Sequence, residues 1–351
     1  MSEAKSVKED INKLFKGKVV VQLGSEVEDP YKNRIPSGSF SLDCGIGGGL
    51  PQGGLSQYVG MDSSGKTTMA LKTIAETQKK FGEGAKIALA SVEHPLDKRW
   101  AEKVGVQMDD TISLVKTATG EMYLEALKEY INSNEFNLIV IDSISALANI
   151  SKTILSSNLG DKNVATGASL ITDFISQAIY GAESTNEGKS NRTAVLVTNQ
   201  YRAKIGGASF MGTPRKQFGG YSLTYAKLLD IDFNKGEEIS EGEKEKKEVY
   251  GNNIRFRVLK AKAGACDGAT GSFDLYKRNY GNFSAGDIDT AKEYRIQAIK
   301  HGIIERAGSY FKFQGKNHRL ADLEKWIRDD EEIKTAIKNE IFSNLGYELD
   351  E

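Results

Sequence analysis

Cysteine is nearly missing: Cys44 and Cys266 are the only two in 351 residues. Two thiols leave no disulfide framework and no cysteine-rich zinc cluster, which suits a reduced, cytoplasmic protein. An excess of one charge is missing too. Lys and Arg total 47 against 48 Asp and Glu, a net charge of -1. Bulk charge therefore advertises no polyanionic partner, although a basic patch balanced by acid elsewhere stays compatible with nucleic acid. No apolar run reaches the length of a membrane span, and residues 1–13 (MSEAKSVKEDINK) carry no apolar signal region. Hydrophobic residues make up 39%, enough at this length for a large core domain and a smaller one.

What is present centres on Gly60-Met61-Asp62-Ser63-Ser64-Gly65-Lys66-Thr67-Thr68. It fits G-x-x-x-x-G-K-[ST], the phosphate-binding loop of nucleoside triphosphatases. Residues 54–59 (GLSQYV) before it are strand-like and residues 69–80 (MALKTIAETQKK) after it are helix-like, the context the motif requires. Glycines let successive backbone N–H groups point at phosphate oxygens, and the helix N-terminus adds its positive end. Lys66 is expected to reach the β- and γ-phosphates of ATP, and the Thr67 hydroxyl to meet Mg2+.

Two further strands deliver acids. Residues 86–92 (KIALASV) lead to Glu93, a candidate to orient and activate the water that attacks the γ-phosphate; the plainer alternative is an acid at the start of the next helix. Asp97 and Trp100 follow at that helix, placed to meet the adenine amine and ring. Residues 136–143 (FNLIVIDS) form an apolar strand ending in Asp142, the pattern that carries an acid to the magnesium shell. Strand 193–198 (TAVLVT) ends in Asn199 and Gln200, and Gln200 is placed to report nucleotide state.

Other stretches read as follows. Residues 5–16 predict an amphipathic helix with Val7, Ile11, Leu14 and Phe15 on one stripe, followed by a strand over 19–23. That pair either docks on another subunit or packs on its own core. Residues 42–51 (LDCGIGGGLP) read as a turn feeding the first core strand, and 151–168 as a polar surface loop. Residues 201–220 interleave Arg202, Lys204, Arg215 and Lys216 with Tyr201, Ile205, Phe210 and Phe218. Cations for phosphates beside side chains that stack on bases are what single-strand binding asks for. Residues 228–233, 253–259 and 271–276 read as strands, and the charged run 235–249 as an exposed hairpin or disordered tip. Lys260 and Lys262, at period two, point the same way. From about 287 the texture becomes helical, with helices over 288–305 and 320–345 around a hairpin at 308–316.

Together these segments resemble the RecA-type recombinases of bacteria and their phages. IPSGSFSLD, GLPQGGL, SSGKTT, VEHPLD, LIVIDSISAL and TNQYRAKIG lie in the family's order, with INKLFKGKVVVQLG before them and ERAGSYFKFQG after. The resemblance implies an α/β fold: a RecA-like P-loop core with a central, mostly parallel twisted sheet over residues 35–284. It implies a short N-terminal helix-strand oligomerisation arm over 1–34 and a small α+β C-terminal domain over 285–351. It also implies a DNA-dependent ATPase that uses ATP and Mg2+ and forms a helical homofilament on single-stranded DNA. Pairing with double-stranded DNA and strand exchange would follow, in the cytoplasm of a bacterial or phage-infected cell with no membrane partner.

Residue by residue, Gly60, Met61, Asp62, Ser63, Ser64, Gly65, Lys66, Thr67 and Thr68 form the phosphate loop in that resemblance. Asp97, Trp100 and Tyr276 complete the nucleotide contacts, Thr67 and Asp142 hold the metal, and Glu93 and Gln200 act at the γ-phosphate. Lys260 and Lys262 reach the ATP of a neighbouring subunit. Val164 lies in the first DNA loop (158–168). Arg202, Lys204, Ile205, Phe210, Arg215, Lys216, Gly219 and Gly220 belong to the second and its end. Asp173 and Tyr180 depart from the family's pattern, standing near positions where arginines facing DNA are expected. The rivals are a ring helicase of the same superfamily and an ATP-gated regulatory protein whose hydrolysis is incidental.

Overall fold

The computed structural model describes residues 3–15, 21, 23, 25, 31–117, 120–147, 172, 174–175, 193–203, 215–217, 219–243 and 246–347. Helix α1 (Glu3–Leu14) opens the chain, and β1 (Arg34–Ile35) and β2 (Leu50–Pro51) pair antiparallel around α2 (Phe40–Gly45). The core then alternates: β3 (Leu55–Gly60), α3 (Lys66–Phe81), β4 (Ile87–Ser91), α4 (Lys98–Lys103), β5 (Ile112–Leu114), α5 (Gly120–Ser133) and β6 (Leu138–Asp142). Next come β7 (Ala194–Ala203), β8 (Arg215–Gln217), α6 (Gly220–Ala226), β9 (Lys227–Glu241), β10 (Glu248–Ala261) and β11 (Thr270–Tyr276).

These strands form a nine-stranded sheet in the order β11-β10-β9-β3-β7-β6-β4-β5, with β8 paired to β7. From β9 to β5 every neighbour is parallel, and β9-β10-β11 form an antiparallel meander. Parallel strands covered on both faces must be apolar throughout, and Leu138, Ile139, Val140 and Ile141 are fully buried accordingly. One face packs Met69, Leu71 and Ile74 of α3 against Tyr58, Leu138 and Val140; the other packs Leu124, Leu127 and Ile131 of α5 against Ile139 and Ile141.

The C-terminal part contains α7 (Thr290–Lys300), the three-stranded antiparallel β12 (Glu305–Ala307), β13 (Tyr310–Phe313) and β14 (Lys316–His318), then α8 (Leu320–Asp329) and α9 (Glu331–Asn344). Its apolar cluster includes Phe311, Phe313, Ile327 and Ile341 and extends to Phe40 and Cys44 of α2. Phe40 stacks on Tyr294 with ring centroids 3.8 Å apart.

Several expectations need correction. Residues 42–45 are not turn: Ser39 caps α2 by accepting from the Leu42 N–H, and buried Phe40, Leu42 and Cys44 hold the helix down. The long C-terminal helix is two, because the Asp330 carboxylate accepts from the Ile333 N–H and starts α9 afresh. The charged run 235–249, by contrast, is the exposed hairpin and not a disordered tip: β9 and β10 pair antiparallel through it, and Lys247 bridges to Glu238 at 2.9 Å. Of the strand expected at 19–23 only Val21 and Leu23 are described, and neither is in a strand. The expected loop 151–168, Asp173 and Tyr180 lie outside the described residues. On α1, Val7 (52%), Leu14 (74%) and Phe15 (46%) are exposed, so this stripe is not packed on the described core.

Glu293 of α7 reaches across to α2. Its carboxylate accepts from Ser39 Oγ at 2.5 Å and from the Ser41 and Phe40 N–H groups at 3.0 and 3.3 Å. Burial outweighs these bonds and pushes its pKa up to about 7; burial likewise raises Asp43 on α2 to about 8. Both groups bind protons more tightly folded than unfolded. Stability from this junction is therefore full below the ordinary carboxylate range and falls as pH rises towards 7 and 8. The melting temperature should drop between pH 5 and 8, with a shallower slope in Glu293→Gln. An equal slope in both proteins would remove Glu293 from the account.

Candidate active site

The carboxyl ends of four parallel strands meet at one place. Register sets Gly60 of β3 beside Gln200 of β7, and Asp142 of β6 beside Ser91 of β4. Open α/β sheets bind ligands at this edge. A cavity of about 530 Å3 opens there, and its lining includes Asp62, Ser63, Lys66, Thr67, Glu93, Asp97, Trp100, Asp142 and Gln200. Ala70, Leu71, Leu89 and Val140 supply its apolar wall.

The loop from Gly60 to Thr68 is shaped by close backbone approach. A Cβ on Gly60 would sit 2.3 Å from the Phe233 carbonyl, so only glycine fits between β3 and β9. Gly65 takes φ 95 and precedes α3, whose N-terminus has no side-chain cap. Its first N–H groups, with the positive dipole end, suit an anion. Ser64 Oγ is buried without a hydrogen-bond partner. Lys66 is 8% exposed and its Nζ donates to the Met61 carbonyl at 2.8 Å. Burial lowers its pKa, opposed by the nearby carboxylates of Asp62, Asp142 and Glu93.

The acids are tied together. Thr198 Oγ1 donates to Asp142 Oδ1 at 2.5 Å. The Asp142 carbonyl accepts from the Val92 and Glu93 N–H groups at 2.7 and 3.2 Å, which anchors Glu93 at the end of β6. Gln200 Nε2 donates to Glu93 Oε1 at 2.8 Å, and Ser143 Oγ donates to Glu93 Oε2 at 2.9 Å. Helix α4 begins after Asp97, which accepts from the Trp100 N–H at 3.0 Å. Asp97 is the capping acid there, so Glu93 is not explained as a cap. The Trp100 indole N–H donates to Thr68 Oγ1 at 3.2 Å.

Other expected residues lie apart from this cavity. Tyr276 is 5% exposed on β11 and stacks on Phe283 at 4.2 Å, and it does not line the cavity. Lys260 and Lys262 do not line it either. Lys260 Nζ donates to the Thr224 and Tyr225 carbonyls at 2.6 and 3.2 Å, at the carboxyl end of α6. Val164, Lys204, Ile205 and Phe210 lie outside the described residues. For Arg202, Arg215 and Lys216 the backbone is described: Arg202 pairs with Lys216 and Ala203 with Arg215. The ends of the 201–220 stretch are thus joined as a two-stranded base. Gly219 takes φ 106 ahead of α6, where a Cβ would meet Leu223 side-chain atoms at 2.5 Å, and Gly220 begins the helix.

The sequence reading missed Ser143, Thr198 and a buried polar group behind the site. In that group Asn199 Nδ2 donates to Gln57 Oε1 at 2.9 Å, and Gln57 Nε2 donates to Asp230 Oδ1 at 2.8 Å. Gln217 and Lys227 also donate to Asp230. The available signal was a polar residue inside an apolar strand: Gln57 in β3, Thr198 in β7 and Asp230 in β9.

Comparison with known proteins identifies the family. The RecA N-terminal domain family model matches residues 3–276. Protein RecA of Leptospira meyeri is 33% identical over 334 residues, covering 94% of this chain and 80% of that protein. Protein RecA of Gloeobacter violaceus is 32% identical over 348 residues, covering 97% and 87%. Protein RecA of Arthrobacter sp. (strain FB24) is 31% identical over 339 residues, covering 96% and 89%.

Proposed function

The chain belongs to the RecA family, and from that premise we propose how its parts carry out the DNA-dependent ATPase chemistry of recombination and repair. The supporting observation is the convergence of Lys66, Thr67, Glu93, Asp142 and Gln200 on one cavity. ATP is the substrate. Lys66 exchanges the Met61 carbonyl for β- and γ-phosphate oxygens, and the free N–H groups at the start of α3 bind alongside. The hydroxyl of Thr67 and the carboxylate of Asp142 are hard oxygen donors that fit Mg2+. When bound there, such an ion would neutralise negative charge on the phosphates. Glu93 orients the attacking water and accepts its proton. Gln200 contacts the γ-phosphate, and Asp97 and Trp100 hold the adenine.

The family resemblance assigns Lys260 and Lys262 to the ATP of the next subunit, and their standing away from their own cavity is compatible with that role. Site completion then requires assembly, and the exposed apolar stripe of α1 offers a surface for a second copy. The assembly is a helical filament on single-stranded DNA, held through the segments 158–168 and 201–217. Double-stranded DNA is searched for homology and strands are exchanged. Among the described residues no helix is long and apolar enough to cross a membrane. We place the protein in the cytoplasm of a bacterial or phage-infected cell.

The deciding experiment measures ATP hydrolysis with and without single-stranded DNA, beside negative-stain imaging of the same mixtures. Strong stimulation with extended filaments is expected. Hydrolysis indifferent to DNA, or closed rings alone, would overturn the filament reading and favour a ring motor or regulatory ATPase.

A further inference from the structure

Glu93 is held from two sides. Gln200, which lines the cavity, donates to Oε1; Ser143, which does not line it and is 1% exposed, donates to Oε2. One carboxylate oxygen therefore faces the cavity and the other faces the protein interior. A hydroxyl has a single proton to give. With that proton on Glu93, Ser143 Oγ accepts from the Ala146 N–H at 3.2 Å, and Ser145 Oγ, 2.9 Å away, becomes a donor to it. Ser145 is itself 6% exposed. The direction of the chain is thus set: Ser145 to Ser143 to Glu93.

We propose that Ser143 is a positioning residue for Glu93, with Ser145 orienting its hydroxyl, so that Oε1 and not Oε2 is presented to the attacking water. This rests on Glu93 being the base. An unheld carboxylate can turn about its last side-chain bond, and that torsion is broad. A base must lie within hydrogen-bond reach of the proton it takes, so lost orientation lowers turnover without weakening substrate binding. The Ser143 hydroxyl is dispensable for the backbone, because the Ala146 N–H also reaches the Ser143 carbonyl at 3.1 Å.

The test is a cycle of Ser143→Ala, Glu93→Gln and the double variant, with kcat and KM for ATP measured with single-stranded DNA present. Melting temperature and binding of a fluorescent ADP analogue are followed alongside. Ser143→Ala is expected to lower kcat about tenfold, the scale of one lost hydrogen bond, with KM and analogue binding unchanged. Ser145→Ala should lower kcat less, in the same direction. In the Glu93→Gln background, Ser143→Ala should cause no further loss. An unchanged kcat in Ser143→Ala, or the same tenfold loss in both backgrounds, would overturn the proposal. If Glu93→Gln itself turns over like the parent, the base assignment fails instead, which is a separate result.

Discussion

Glu93→Gln should lower DNA-stimulated ATP turnover by about 10²–10⁴-fold, the usual worth of a positioned general base, while ATP-dependent binding of single-stranded DNA persists. The substitution nearly conserves volume. It keeps a carbonyl oxygen able to accept from Gln200 and an amide able to meet Ser143, so the frame around residue 93 has no reason to collapse. What is lost is the negative charge that takes the proton from water. Phosphate release gives the turnover, and fluorescence anisotropy of a labelled oligonucleotide gives the binding. Normal turnover would remove Glu93 from the mechanism. Loss of both activities would make Glu93 a structural residue whose carboxylate organises the strand ends.

Asp230→Ala is expected to be the most damaging single change to stability outside the apolar core. The side chains of Lys227 and Asp230 are only 2% and 5% exposed, and they pair directly. Burial lowers the Lys227 pKa, opposed by Asp230. The aspartate also accepts from Gln57 and Gln217, so its removal strips the buried ammonium of its counter-charge and leaves Lys227 Nζ and Gln57 Nε2 with only Gln217 Oε1, to which they also donate at 2.6 and 3.0 Å. Breaking a buried pair by deleting one partner costs about 3–5 kcal/mol, because the remaining charge keeps its desolvation penalty. The urea unfolding midpoint should fall accordingly. The companion double variant Lys227→Met/Asp230→Ala should recover much of the loss, since it removes the stranded charge. Equal midpoints for Asp230→Ala and the parent would mean that water reaches this site.

The pair also shows where sequence reading stops. Lys227 and Asp230 are three residues apart at the start of β9, a spacing that reads as ordinary charge on an edge strand. They are buried because β9 lies beside β3, inside the sheet, where Gln57 of β3 and Gln217 of β8 bond to the pair. Likewise Asp330 looks like one more polar residue in a helical run, yet its side chain caps a new helix. Tyr276 shows the same limit: the resemblance assigns it a nucleotide contact, whereas β11 lies at the far edge of the meander and Tyr276 does not line the cavity of its own chain.

The candidate phosphate loop was legible because its pattern is local. Nine consecutive residues contain the glycines, the lysine and the hydroxyl, and the strand before and helix after follow from short-range pattern. The apolar strand into Asp142 was legible for the same reason, since a strand buried on both faces announces itself by composition. The hold on Glu93 was not. Its partners Ser143 and Gln200 lie 50 and 107 residues away along the chain. They reach the same carboxylate only because β6 lies between β4 and β7 in a parallel sheet, with all three carboxyl ends on one edge. Periodicity and propensity report neighbours within a few residues. Strand order is decided by the burial of whole faces, and it was the tertiary structure that chose which distant side chains would share one carboxylate.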